Sequence, residues 1–334
     1  MRVMQLGTAA PISASPLQET TRPIPEPGTG ELLVRVLACG ICRTDLHIVE
    51  GELALPRLPI VPGHQVVGRV ERAGPGAGRF ESGQRVGIAW LRWTCGQCPF
   101  CRGDRENLCE QARFTGYHAD GGYAEYAVVP DAFAYAIPAV FADAEAAPLL
   151  CAGIIGYRAL RRSGVTAGGR LGIYGFGSSA HITLQVAAAR GCHVYVCTRE
   201  ATHRTLARSL GAVWVGDLGD TMPAATDGTI IFAPAGELVL PALRNLAPGG
   251  TLALAGIHMT RLPALDYADL FRERAITSVT ANTRADGEAL LAEAAGIPVR
   301  PTVTTFPLAH ANRALDQLKR GLLAGSGVLM LDGV

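Results

Sequence analysis

The chain has 334 residues, 49% apolar and 18% charged, with 30 Lys and Arg set against 29 Asp and Glu. That length points to two domains, and that composition to a buried globular core rather than a disordered chain. A formal charge of +1 makes no overall electrostatic case for a nucleic-acid partner, although local arginines can still hold a phosphate.

The opening MRVMQLGTAAPISASP lacks the continuous apolar core of a signal peptide, and no stretch reads as a membrane span, so a cytoplasmic protein is expected. Residues 31–38 (ELLVRVLA), Gln65–Val70 and Arg85–Ala89 read as strands, separated by turn material such as PIPEPGTG, GPGAG and ESGQ. Short strands between Gly/Pro turns predict a compact, barrel-like first domain. The loop from Trp93 to Arg113 carries Cys95, Cys98 and Cys101 in a CxxCxxC run, with Cys109 eight residues later. Four soft ligands at that spacing predict a closed tetrahedral zinc site that orders its loop. A disulfide scaffold is the alternative; the missing secretion signal favours zinc. Cys42 (in CGICRTDLH, after a strand), His64 (in VPGHQVVG, before one) and Cys151 (in PLLCAG) are scattered. A Cys2His set with an open fourth position is a catalytic zinc arrangement. Spacing alone leaves each of the three equally readable as a buried bystander.

After about residue 150 the pattern changes. LGIYGFGSSAHITLQVAAARGCHVYVCTR joins an apolar strand, a glycine turn, an Ala-rich helix and a second strand. ATHRTLARSLGA continues as a helix, AVWV and GTIIFA as strands, PALRNLA as a helix and TLALAG as a strand. Alternating strands and helices predict βαβ units around a parallel sheet. Leu308–Arg320 has helical periodicity and stops at Gly321, and VLML reads as a closing strand.

Gly175-Phe176-Gly177-Ser178-Ser179-Ala180 fits G-x-G-x-x-A between a strand and a helix beginning near Ser179. Glycines there allow a tight turn and close backbone approach to a pyrophosphate, whose charge the helix start accepts. The motif alone is weak; its strand–turn–helix–strand setting predicts dinucleotide binding. The end of the second strand carries Thr198 and Arg199 where an NAD-type domain usually has an acid, and Arg204 follows. Thr198 does not repel a 2′-phosphate and either arginine can bond one, so the lean is to NADP(H). Glu200 is the candidate substitute acid, and both arginines can also be merely solvated.

The whole chain resembles the zinc-dependent alcohol dehydrogenases of the medium-chain dehydrogenase/reductase superfamily, particularly the short bacterial members. CGICRTDLH, GHQVVG, CGQCPFCRGDRENLC, DGGYAEYAVV and YGFGSSAH occur in that family's order. The resemblance implies a GroES-like β-rich catalytic domain (1–153 and 283–334, with a structural zinc lobe at 93–113). It implies a Rossmann-type doubly wound parallel-sheet coenzyme domain at 154–282. It also implies two zinc ions per subunit and NAD(P)(H), with Cys42, His64 and Cys151 on the catalytic ion and Cys95, Cys98, Cys101 and Cys109 on the structural one. By the same resemblance Asp45 orients the histidine ligand, Thr44 and His47 relay the alcohol proton to solvent, and Arg43 approaches the coenzyme pyrophosphate. Trp90 and Leu91 match positions lining the substrate pocket, although either can also be simply core packing.

Three departures stand out. Gln65 replaces the glutamate that usually follows the histidine ligand, Ser178 and Ala180 stand where glycine is frequent, and Arg92 occupies a position usually held by a small residue. Arg92 is expected to face outward.

The implied reaction is reversible hydride transfer between a primary or simple secondary alcohol and NAD(P)+, giving an aldehyde or ketone. A polyol or sugar dehydrogenase and a physiological aldehyde reductase are the alternatives. A zinc-free quinone reductase is disfavoured by the seven potential ligands. The compact length resembles the tetrameric rather than the dimeric members.

Overall fold

A computed structural model describes residues 1–297 and 299–331. The chain divides into two compact units. The first comprises Met1–Cys151, Ala281–Ala295 and the segment from Pro301 onward; the second comprises Ala152–Thr280 and Gly296–Arg300.

The first unit is built on a mixed seven-stranded sheet. Its spatial order is Val303–Pro307, Ser326–Met330, Glu31–Ile41, Gln65–Ala73, Arg85–Ile88 and Ala134–Ala136, with Tyr126–Pro130 also paired to Glu31–Ile41. The strand expected at VLML is thus real, and it lies antiparallel to Glu31–Ile41 with Val328 opposite Gly40. Glu31–Ile41 is the organising strand. It is almost continuously buried, and its register with Gln65–Ala73 places Gly40 opposite Gln65 and Cys39 opposite Val66. One core of Val, Ile and Leu side chains runs through this sheet and the strand Arg2–Leu6. The expected helix over Leu308–Arg320 opens as a single tight turn, Leu308–His310, before the α-helix Ala311–Lys319. Gly321, at φ +67°, ends it as a left-handed residue.

The second unit holds a six-stranded, wholly parallel sheet. Its order is Trp214–Gly216, His193–Cys197, Arg170–Tyr174, Thr226–Ile231, Leu246–Leu254 and Ala275–Ser278. In chain order that is third, second, first, fourth, fifth and sixth, the doubly wound Rossmann arrangement, with its switch point beside Arg170–Tyr174. The central strands Arg170–Tyr174 and Thr226–Ile231 are buried almost throughout, as expected of parallel strands covered on both faces. The fold is therefore the GroES-like mixed sheet plus Rossmann-type sheet that the sequence implied. No helix among the described residues is long and apolar enough to cross a membrane.

Within the first unit, the returning segment is fastened to the cysteine lobe by one ion pair. Arg284 donates to Glu106 from its backbone N–H at 2.7 Å, from Nε at 3.1 Å and from Nη2 at 2.6 Å. Burial alone pushes the Glu106 carboxyl up, but the bonds and charge of Arg284 outweigh it and hold the carboxyl below its ordinary range. A depressed folded-state value means stability that is present above the unfolded pKa of about 4.3 and is lost as pH falls through the folded value. Replacing Glu106→Gln should lower stability at pH 7 by about 1 kcal/mol once solvent screening at the 40%-exposed Arg284 is allowed for. Urea melts of both forms should converge below about pH 4; an undiminished gap at pH 3 contradicts the pairing.

Candidate metal centre and coenzyme turn

Three ligand-type atoms from distant parts of the first unit converge. Cys42 Sγ lies 3.3 Å from His64 Nε2, and His64 Nε2 lies 3.3 Å from Cys151 Sγ. The three fall within 4.8 Å of one another, compared with about 3.5–3.8 Å between ligand atoms at tetrahedral zinc bond lengths.

Local structure explains how each is presented. Cys42 leaves the strand in extended conformation and N-caps the helix Arg43–Glu50, its sulfur accepting the Thr44 backbone N–H at 3.3 Å. His64 follows Gly63, whose φ of +97° and lack of a Cβ let the ring of Tyr123 and the sulfur of Cys39 pack where a side chain would stand. Cys151 sits in the single π-turn Leu149–Gly153 after the helix Asp143–Pro148. Such a turn is a frequent feature of functional sites because it re-aims one side chain.

Asp45 binds the ligand-bearing segments together. One carboxylate oxygen accepts the Cys42 backbone N–H at 2.9 Å; the other accepts from His64 Nδ1 at 3.0 Å and from the Gly63 N–H at 3.2 Å. With Nδ1 donating to Asp45, Nε2 is the ring nitrogen that faces the two sulfurs and that would give its lone pair to a metal once deprotonated. Burial opposes ionisation at Cys42, but donation from the Cys151 thiol and the charge of His64 hold its thiol well below the ordinary range. Cys151, donating to Cys42 and buried, is held well above it. Two sulfurs competing for one proton beside a basic nitrogen are a donor set that a divalent cation satisfies outright.

The cysteine lobe forms a second donor set. Cys95, Cys98, Cys101 and Cys109 lie within 4.8 Å of one another, with Cys98 Sγ at 3.5 Å and Cys95 Sγ at 3.9 Å from Cys101 Sγ. Backbone N–H groups of Cys98 and Cys101 donate to the sulfurs three residues earlier, the geometry in which a thiolate is stabilised for metal. Hydrogen bonds from the Gln97 and Cys98 backbone bring the Cys95 thiol down to about 6, and burial pushes Cys101 up to about 11. All four sulfurs would be spent on an ion held there, leaving no open position, the pattern of a structural rather than a catalytic site.

Thr44 is nearly buried, and His47, half-buried, follows it by three residues on the same helix face. His47 Nδ1 is hydrogen-bonded to Glu52 Oε2, a partner that no sequence signal announced. Arg43 is exposed in the first helical turn.

Trp90 is half-buried, with its ring edge-on to that of His64 at 4.9 Å. Leu91 is only 1% exposed and belongs to the apolar core. The outward-facing expectation for Arg92 is corrected. Its side chain is buried, because Glu31 accepts from its guanidinium at 3.3 Å and makes that burial tolerable. Gln65 is buried with neither Oε1 nor Nε2 bonded.

In the second unit, the turn Gly175–Ala180 leaves the strand Arg170–Tyr174 and enters the helix Ser178–Ala189. Gly175, at φ +83°, lies so close to Ala233 that a Cβ would stand 2.9 Å from its backbone nitrogen. Phe176 and Ala180 are buried, while Gly177, Ser178 and Ser179 keep partly open surface. Thr198 is 1% exposed, its hydroxyl 3.5 Å from Glu200 Oε2. Arg199 is exposed, 3.7 Å from the same carboxylate, and Arg204 donates to the Thr198 carbonyl at 3.1 Å. His181, which sequence reasoning passed over, is fully buried one turn into the helix, its Nδ1 at 3.3 Å from the Gly177 carbonyl. Burial depresses its pKa to about 4, so it stays neutral behind the turn.

Comparison with known proteins matches this geometry. Residues 28–139 fit the family model described as the alcohol dehydrogenase GroES-like domain, and residues 180–296 the one described as zinc-binding dehydrogenase. The chain is 52% identical over 337 aligned residues to the probable alcohol dehydrogenase AdhA of Mycobacterium tuberculosis, covering 99% of this chain and 97% of that one. A cobalt- and zinc-bound thermostable alcohol dehydrogenase from Pyrobaculum aerophilum superposes with TM-score 0.88 at 28% identity, over 99% of each chain. A putative zinc-binding dehydrogenase from Sinorhizobium meliloti 1021, bound to NADP, superposes at 0.86 with 29% identity over 98% of each.

Asp45→Asn should weaken metal binding at the Cys42 centre by about 10–100-fold, because the carboxylate fixes the His64 ring. Chelator competition followed by metal analysis should show one zinc lost early from the variant and the lobe zinc retained. Equal retention of both ions in variant and wild type contradicts that role.

Proposed function

The chain belongs to the zinc-dependent alcohol dehydrogenases of the medium-chain dehydrogenase/reductase superfamily, and from that premise we propose that it interconverts primary or simple secondary alcohols with aldehydes or ketones, using NAD(P)(H) and two zinc ions. The observation that carries this reading is the convergence of Cys42, His64 and Cys151 in a Cys2His set of the catalytic kind, beside a separate four-cysteine set.

Bound zinc supplies polarisation of the alcohol or carbonyl oxygen, and nicotinamide the hydride exchange. The chain's own residues do the rest. Cys42, His64 and Cys151 hold the catalytic ion, with Asp45 fixing the histidine tautomer. Thr44 takes the alcohol proton, and His47, steadied by Glu52, passes it to water. Gly175–Ala180 present backbone N–H groups to the coenzyme pyrophosphate. The first unit is assigned as the catalytic domain and the second as the coenzyme domain. Donor sets so rich in thiols suit a cytoplasmic, reducing environment.

Coenzyme choice leans to NADP(H). Thr198 is uncharged at the strand end, and the exposed Arg199, with Arg204 nearby, offers guanidinium groups to a 2′-phosphate. Glu200 is the specific feature favouring NAD: its carboxylate, 3.5 Å from the Thr198 hydroxyl, is an acid near the strand end of the kind that binds ribose hydroxyls.

His64→Ala should abolish alcohol-dependent NAD(P)+ reduction, at least 1,000-fold by order of magnitude since the metal is lost, while the lobe zinc and fold persist. Full activity in that variant refutes the reading. The same assay should give a higher kcat/KM with NADP than with NAD, and the reverse order defeats the coenzyme lean.

The protein is also proposed to act as a homo-oligomer, a tetramer in preference to a dimer. Tyr267 and Phe271 are 77% and 60% exposed beside the edge strand Ala275–Ser278, an apolar face suited to a second copy. Light scattering should report about four chains per particle, and a monomeric mass overturns this assignment.

A further inference from the structure

The ring that meets the metal ligand is the first of four. Trp90 stands edge-on to His64 and stacks on Phe114 at 4.8 Å with planes 11° apart. Phe114 meets His118 at 5.6 Å, and Tyr117 meets His118 edge-on at 4.7 Å and Trp90 at 5.9 Å. These rings form a closed box, held from outside by the Tyr117 hydroxyl donating to the Ala54 carbonyl. All four residues are only partly buried, in contrast to Leu91 and Tyr123 in the adjacent core. Aromatic area has therefore been left uncovered next to the metal ligand.

His118 differs from the other three in having a polar edge, and the backbone decides which edge is which. Its Nδ1 accepts the Phe114 N–H at 3.1 Å, so in the neutral ring the proton must sit on Nε2. Burial and then the charges of Arg113 and Arg92 lower its pKa, which keeps that neutral form dominant at physiological pH. A fixed N–H donor thus stands at the far end of a row of rings that begins at His64.

We propose that this box is the specificity-determining wall of the active site, selecting alcohols and aldehydes with a flat conjugated or aryl body, and that His118 Nε2–H donates to an oxygen acceptor on the far edge of that body. Phe114, Tyr117 and His118 join Trp90 in this role. The inference rests on the alcohol dehydrogenase reading above and names its substrate class. Ring-on-ring contact rewards planarity beyond the area it buries, and a site built to hydrogen-bond a substrate atom discriminates against analogues lacking it.

The test is kcat/KM of the zinc-loaded enzyme for 1-butanol, benzyl alcohol and 4-methoxybenzyl alcohol, in wild type, His118→Phe and Phe114→Leu. Wild type should prefer 4-methoxybenzyl over benzyl alcohol, and benzyl alcohol over butanol, each by about tenfold. His118→Phe keeps a ring but no donor, so it should erase the first preference and preserve the second. Phe114→Leu should reduce the benzyl-to-butanol ratio about tenfold. Ratios unchanged in both variants overturn the proposal. So does a wild-type enzyme that prefers butanol, an outcome that leaves the alcohol dehydrogenase reading intact and needs no variant to fold. Absence of turnover with any of the three alcohols or their aldehydes sinks both.

Discussion

One buried carboxylate holds the centre formed by Cys42, His64 and Cys151 in shape. Asp45 accepts from the Cys42 backbone, the Gly63 backbone and the His64 ring at once. It therefore joins the helix that begins at one ligand to the loop that delivers another. The same oxygen atoms close the first turn of the helix, orient the imidazole and set its tautomer. A local requirement of helix formation, the capping of orphan N–H groups, and a requirement of metal chemistry are met by one side chain. The cost is a fully buried acid: burial pushes the Asp45 carboxyl up against the stabilising charge of His64. Such an acid is tolerable only while all its partners are present, so ligand geometry and the fold around it are maintained together.

The two donor sets use the same elements differently. In the lobe, four sulfurs come from fifteen consecutive residues (Cys95 to Cys109), with backbone N–H groups folded onto them, so the metal orders a loop that has little apolar core to order itself. In the catalytic set each ligand comes from a different element, and the sheet and the π-turn do the positioning. The lobe is in turn anchored by Glu106 and Arg284, so the segment that returns after the parallel-sheet unit grips the first unit at its metal-ordered loop.

Legibility in the sequence followed the range of each interaction. The four-cysteine lobe and the glycine turn are local, so spacing and strand–turn–helix context sufficed to read them. The trio Cys42, His64 and Cys151 depends on strand register and on a π-turn, neither of which leaves a periodic trace; resemblance to a family supplied what spacing could not. Arg92 was expected outside because it is charged; its burial depends on Glu31, a partner 61 residues away in the chain. Glu52, Tyr117 and His118 were invisible because their significance lies in what they touch across the chain.

Gln65 carries the balance of charge at the centre. Its cross-strand partner is Gly40, and the absence of a Cβ there is what admits the glutamine side chain: a Cβ would stand 2.9 Å from its Cδ. Gln65 directly follows the ligand His64 and pairs with Gly40, two residues before the ligand Cys42, so it sits in the strand pair that delivers two of the ligands. An unbonded buried amide costs on the order of 1–3 kcal/mol per polar group. Two thiolates and the Asp45 carboxylate already surround the place of a divalent cation, so a carboxylate at this position would add a fourth negative charge, which the neutral amide avoids. The electrophilicity of the centre is then set by its sulfur ligands and by Asp45 acting through His64, and that leaves substrate selection to the uncharged aromatic box that begins at Trp90.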